Sequence, residues 1–241
     1  MKRHLPNVLT ASNLFCGCVA TVLLFRDRPE AAVWLVFIAA VFDLLDGMVA
    51  RWLNVSSPFG RELDSLADLV TFGVVPGVVL FKLLQYSDLS AWVPDETLRR
   101  FVQFLPFAVT VFSALRLARF NIDQRQTAGF LGLPTPANTL WIVSLPMMLI
   151  RNPGEWEFLL GNALFLLMLT GLSCWLLVSG IPLFAFKGSL PGLKKDPFPI
   201  ILLVFAAAAL SLVSYTALPL IIAFYVLLSL IRNQRKPTPG K

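Results

Sequence analysis

A chain of 241 residues that is 57% hydrophobic and 14% charged, with a mean hydropathy of +0.75, is not a soluble domain, where about a quarter of residues are charged. Its net charge of +6 suits a surface of anionic lipid, and nothing in it points to nucleic acid. The only histidine, His4, lies in the N-terminal tail, which excludes a histidine-based metal site and Ser-His or Cys-His catalysis.

Apolar runs long enough to cross about 30 Å of hydrocarbon recur throughout. They predict an all-α, polytopic membrane helical bundle of about eight transmembrane helices, at 8–25, 31–53, 63–86, 100–120, 135–151, 158–184, 197–213 and 216–232. The first follows a seven-residue tail and is succeeded by further spans rather than a cleavage site, so it reads as a retained helix. Breaks fall at Asp27–Pro29, Asn54–Pro58, Asp88–Asp95, Gly132–Pro136, Asn152–Glu155 and Gly188–Pro197, where proline, glycine and polar residues interrupt the apolar pattern. A polar pause at Ser214–Thr216, with Pro219, separates the last two spans. Cys16, Cys18 and Cys174 sit inside apolar runs and read as small packing residues. The whole chain, 1–241, reads as one membrane domain.

Basic residues orient the bundle. With both termini in the cytoplasm, Lys2, Arg3, Arg51, Arg61, Arg116, Arg119, Arg125, Lys187, Lys194, Lys195 and the tail from Arg232 to Lys241 fall at the cytoplasmic end. Arg26, Arg28, Lys82, Arg99, Arg100 and Arg151 fall at the other, which follows the positive-inside rule. The expected location is the cytoplasmic (inner) membrane of a bacterium, with the polar site facing the cytoplasm.

That site is carried by the second and third spans. Asp43, Asp46 and Ala50 recur at i, i+3 and i+7, and Asp64 and Asp68 at i and i+4, so each set forms one helical stripe. An aspartate at mid-bilayer costs about 2.5–3.5 kcal/mol, and nearby cations are too few to neutralise four. Converging carboxylates without His or Cys suit Mg²⁺ or Mn²⁺ rather than Zn²⁺, and a pair of such ions would clamp a phosphoryl-type displacement. Gly47 and Ala50 leave room beside the acids, Arg51 offers a fork of donors suited to phosphate, and Gly60 opens the turn before the second acidic helix. Arg61 and Glu62 read as ion-paired helix-end residues. A divalent-cation transporter also uses intramembrane carboxylates, but on several separated helices rather than on one hairpin beside an arginine.

The stretch Asp43-x2-Asp46-Gly47-x2-Ala50-Arg51-x8-Gly60-x3-Asp64-x3-Asp68 matches the signature of the CDP-alcohol phosphatidyltransferases at all eight fixed positions, a coincidence of roughly one in 10¹⁰ at ordinary residue frequencies. The resemblance covers residues 5–190 and implies a six-helix catalytic core with two divalent ions at its cytoplasmic end; 191–241 would add two helices and a basic tail. It implies that Asp43, Asp46 and Asp64 are metal ligands, that Asp68 is both ligand and catalytic base, and that Gly47, Ala50, Arg51 and Ser57 hold the CDP moiety. It also implies a homodimer.

Two further stretches resemble the phosphatidylserine synthase branch of that family. One is the opening Leu5-Pro6-Asn7 through Asn13 to Gly17. The other is Leu115-Arg116-Leu117-Ala118-Arg119-Phe120-Asn121, followed by Gly132-Leu133-Pro134-Thr135-Pro136. The substrates implied are CDP-diacylglycerol and L-serine. Arg116 and Arg119, at i and i+3, either hold the serine carboxylate or belong to the cytoplasmic basic belt; Asn121 either takes the ammonium or orients an arginine. Thr10 and Asn13, on one face of the first helix, either touch the nucleotide or hydrogen-bond between helices. The nearest alternative keeps the reaction and changes the acceptor to glycerol 3-phosphate, inositol phosphate or choline.

Overall fold

The computed structural model describes residues 4–55, 57–122, 130–184 and 197–235. Arg125, Lys187, Lys194, Lys195 and the termini at Lys2, Arg3 and 236–241 lie outside the described residues. Helices α1 (Leu5–Phe25) and α2 (Pro29–Trp52) form the first antiparallel pair, each opening on a proline in its first turn, where the missing N–H costs nothing. Asp27, at φ 54, turns the chain between them.

The third rod starts earlier than its hydropathy suggests, because Ser57 caps it: its Oγ accepts the Gly60 N–H at 2.9 Å. Helix α3 (Pro58–Leu69) runs through a π-helical turn at Val70–Val74 into α4 (Val75–Tyr86). A π turn displaces the backbone ladder and frees carbonyls. Here threonines from neighbouring helices claim two of them. Thr139 Oγ1 donates to Phe72 O at 2.8 Å and Thr110 Oγ1 to Gly73 O at 2.9 Å. Thr71, inside the turn, donates to Asn13 O on α1 at 3.1 Å.

The fourth rod is broken. Helix α5 (Glu96–Val102) passes through a 3₁₀ turn at Leu105–Phe107, containing Pro106, before α6 (Ala108–Ile122). Strand β1 (Phe130–Leu131) leads to α7 (Thr135–Arg151). The sixth rod is bent by 74° between α8 (Pro153–Leu160) and α9 (Ala163–Val178). Asn162 caps α9 by accepting from Phe165 N at 3.2 Å, so the span expected at 158–184 is two helices, ending before Ser179. Strand β2 (Pro182–Leu183) pairs antiparallel with β1. Gly132 joins β1 to α7 at φ 76, and a Cβ there would lie 2.6 Å from Leu177 O; only glycine fits. Helices α10 (Phe198–Val213) and α11 (Ala217–Arg235) close the bundle across a 3₁₀ turn at Ser214–Thr216.

All eight expected rods are present and the bundle is helical, but they are not equivalent. Among the described residues five helices are long and apolar enough to cross a membrane, and the bent α8–α9 pair makes a sixth. Helix α10 has 16 residues, about 24 Å of rise, and α7 has 17 with Pro146 inside. The main core joins α1, α2, α4, α7 and α9 around Val36, Phe72, Leu80, Ile142 and Leu166. A smaller one ties α10 and α11 to β2 through Leu183, Phe184, Leu202 and Tyr225. At the end of the bundle away from the aspartates, Lys82 pairs with Asp27 at 2.7 Å and Arg151 with Glu30 at 3.4 Å.

Helix α1 approaches the π turn closely. A Cβ on Gly17 would lie 2.9 Å from Thr71 Cα, backbone that cannot step aside. Gly17→Ala is therefore expected to cost about 1–3 kcal/mol and to lower the thermal midpoint followed by tryptophan fluorescence in detergent. Gly171→Ala, in open space on α9, is expected to leave it unchanged or higher.

Candidate active site

The turn between α2 and α3 brings the two acidic stripes together. Asn54, in the left-handed region at φ 52, reverses the chain, a conformation asparagine adopts more readily than most residues. The capped start of α3 then aims its acids at α2. Carboxylate oxygens of Asp43, Asp64 and Asp68 all lie within 4.8 Å of one another. Asp46 is outside that trio: its Oδ2 accepts the Thr10 hydroxyl at 2.6 Å. Asn13 Nδ2 donates to Asp68 Oδ1 at 3.3 Å. Thr10 and Asn13, both buried on α1, thus each hold one of the aspartates.

The acids match a divalent cation in donor type and in what they lack. Asp64 Oδ1 is buried without a hydrogen-bond partner. Among the described residues no lysine or arginine is ion-paired with any of the four. Close-set oxygen donors with no direct ion-pair partner are a site for a hard cation.

Two cavities meet at this cluster. The first, about 270 Å³, is enclosed by α1, α2 and the start of α3; Thr10, Asp46, Gly47, Ala50, Ser57 and Asp64 line it, with Asn7 and Gly60. Small residues matter on its walls. A Cβ on Gly60 would crowd Ser57 Oγ at 3.0 Å and Asn7 Oδ1 at 3.2 Å, and one on Gly47 would meet Arg51 Nη1 at 3.6 Å. The Arg51 guanidinium thus folds back over Gly47, at the edge of the cavity rather than in its wall.

The second cavity, about 370 Å³, lies on the other side of α3, against α6 and the start of α7. Asp68, Arg116, Asn121 and Thr135 line it, and Asp64 and Arg61 border both chambers. Arg116 is 8% exposed and lines this chamber together with Asp68. Its Nε has no partner. Asn121 Nδ2 donates to Ser65 Oγ at 2.9 Å. Arg119 is exposed and lines neither chamber, so one helical turn separates the two arginines that the sequence groups together.

Arg61 and Thr135 line the chambers without a site role on the sequence reading, and Tyr225 lies outside both linings. Arg61, read as an ion-paired helix end, borders both chambers and has no ion-pair partner among the described residues. Thr135 sits in the Gly-Leu-Pro-Thr-Pro block, whose turn chemistry marks only a helix start. Tyr225 lies in a span without motif. Its hydroxyl donates to Phe184 O at 2.8 Å, a contact that depends on tertiary packing.

Residues 3–178 match the family model described as CDP-alcohol phosphatidyltransferase. The chain is 32% identical over 234 residues to the CDP-diacylglycerol–serine O-phosphatidyltransferase of Helicobacter pylori (strain ATCC 700392 / 26695), covering 94% of this chain and 90% of that protein. It is 34% identical over 242 residues to the protein of the same name from Mycobacterium leprae (strain TN), covering 96% and 75%. Over 143 residues, 59% of this chain and 75% of the relative, it is 36% identical to the Bacillus subtilis (strain 168) protein of that name.

Titration of the purified protein with Mn²⁺, followed by the loss of the free-ion paramagnetic signal, is expected to show saturable binding. Asp64→Asn should abolish it. Thr10→Val, which removes the partner of Asp46, should weaken it about 10–100-fold.

Proposed function

The chain belongs to the CDP-alcohol phosphatidyltransferase family, and from that premise we propose that it transfers the phosphatidyl group of CDP-diacylglycerol to the hydroxyl of L-serine, giving phosphatidylserine and CMP. Two things support serine as the acceptor: the names of relatives aligned over most of the chain, and a second chamber that places Arg116 beside Asp68. The observation that carries the reaction is the trio Asp43, Asp64 and Asp68, within 4.8 Å, of which Asp64 stands on the wall shared by two chambers and Asp68 lines the second. Transfer needs such a wall, with donor and acceptor reaching one phosphorus from different sides.

Asp43, Asp46, Asp64 and Asp68 hold two divalent ions, Mg²⁺ or Mn²⁺, which when bound supply positive charge to the pyrophosphate oxygens. The nucleotide part of the donor occupies the first chamber. There Gly47 and Ala50 let it approach the α2 backbone, while Arg51 and Ser57 donate to phosphate and cytidine from the edge. Thr10 and Asn13 act from behind, orienting Asp46 and Asp68. In the second chamber Asp68 takes the serine hydroxyl proton as the serine oxygen forms its bond to the phosphorus bearing diacylglycerol. The bond from that phosphorus to the bridging oxygen breaks, and CMP departs with the oxygen. Arg116 holds the serine carboxylate and Asn121 lies beside it; the exposed Arg119 serves the basic belt.

Residues 5–190 form the catalytic core and 191–241 add two helices and a tail. The site faces the cytoplasm from the inner membrane of a bacterium, which the placement of Arg51, Arg61, Arg116 and Arg119 at its end of the bundle supports. Two copies assemble as a homodimer, an assembly the family resemblance supports.

Purified protein, CDP-diacylglycerol and Mn²⁺, offered a panel of alcohols, should release CMP with L-serine alone. Release with glycerol 3-phosphate, inositol phosphate or choline instead would reassign the acceptor, and Mn²⁺ flux into liposomes without CMP release would make the protein a transporter. Asp68→Asn is expected to lower turnover about 10²–10⁴-fold while CDP-diacylglycerol still binds; normal turnover in that variant would remove Asp68 as the base.

A further inference from the structure

We infer that the carboxylate of the acceptor is bound at the N-terminus of α7, with Thr135 as the residue that selects a carboxylate-bearing alcohol; the inference rests on the serine reading above. Helix α7 begins at the wall of the second chamber without a side-chain cap. Its first intrahelical bond, Asn138 N–H to Pro134 O, is 2.9 Å, and Pro136 has no N–H. The amides of Thr135 and Ala137 therefore have no partner within the helix, at the end where the helix dipole favours negative charge.

Thr135 supplies the second observation. Its side chain is 1% exposed, and its Oγ1 has no hydrogen-bond partner. Arg116, 8% exposed on the same chamber, has an orphaned Nε. Buried polar atoms are seldom left unpaired. Here a hydroxyl, a guanidinium N–H and a helix start border one cavity, and what all three lack is an acceptor. A small carboxylate meets that need, its two oxygens shared between the arginine and the helix end.

The geometry then orders the rest of the acceptor. With the carboxylate at Arg116 and Thr135, the hydroxyl lies toward Asp68, which lines the same chamber. Asn121, whose Nδ2 is committed to Ser65, has its Oδ1 to accept from the ammonium. The helix end is held firmly enough to discriminate. Leu133 N–H donates to Leu176 O at 2.8 Å and Gly132 N–H to Ile181 O at 2.9 Å, tying the approach to α7 onto α9 and β2.

The test compares acceptors and then variants, with CMP release as the readout. In the unmodified protein, ethanolamine and serinol, which keep the amine and hydroxyl but lack the carboxylate, should be used about 10⁴-fold less well than L-serine by kcat/KM, the discrimination expected when buried donors are left unmatched. Thr135→Val should raise the KM for serine about 10–100-fold with the KM for CDP-diacylglycerol unchanged. Thr135→Ser should return the serine KM to within a few fold. Ethanolamine accepted as readily as serine, or a Thr135→Val enzyme with the original serine KM, would overturn the inference. The acceptor comparison needs no variant and so can still overturn the inference if Thr135→Val fails to fold. CMP release from the unmodified protein with other alcohols but not serine would instead overturn the activity on which the inference rests, and the inference with it.

Discussion

Mutual repulsion among Asp43, Asp64 and Asp68 is the constraint around which the bundle is organised. At separations below 5 Å, two unit charges repel by about 3–4 kcal/mol even at an effective dielectric of 20. Packing forces elsewhere must hold the acids together until a cation does so. The carboxylates are therefore evidence of how rigidly α1, α2 and α3 are assembled.

That rigidity has a local source. Gly17 admits the π turn against α1, and Thr71, Thr110 and Thr139 satisfy backbone groups in and around it. The π turn begins two residues after Asp68, so the same distortion that locks α3 against three neighbours also sets how Asp68 is presented. Asn13 completes the arrangement, its carbonyl accepting from Thr71 and its amide donating to Asp68. In a membrane interior, where packing and interhelical hydrogen bonds replace the hydrophobic effect between helices, small residues and hydroxyls are the means available.

The acidic stripes were legible in the sequence because helical periodicity alone places i, i+3 and i+4 on one face, and carboxylates in an apolar run stand out. Other features were not. Hydropathy reads across the bend at Gly161–Asn162 because both sides are apolar. The π turn leaves no compositional mark. Arg116 and Arg119 look equivalent by spacing, and only the packing of α6 against its neighbours, α3 and α9 among them, buries one and leaves the other exposed. The hydrogen bonds of Thr10 and Asn13 to Asp46 and Asp68 bear on a choice the sequence left open. For these residues, contact between helices does not by itself separate them from the site. Thr135 was hidden by its neighbours, since a proline-flanked threonine reads as a helix start whether or not a ligand lies beyond it.

One wall, bearing Asp64 and Arg61, separates the two chambers. Two molecules bound on either side of it meet without either first being parked on the protein, so a single displacement suffices. Its stereochemical consequence is inversion at the phosphorus, as in any in-line exchange that happens once. On the proposed transfer both reactants must be aboard together, and the expected rate law is that of a ternary complex rather than of a relay through a covalent intermediate.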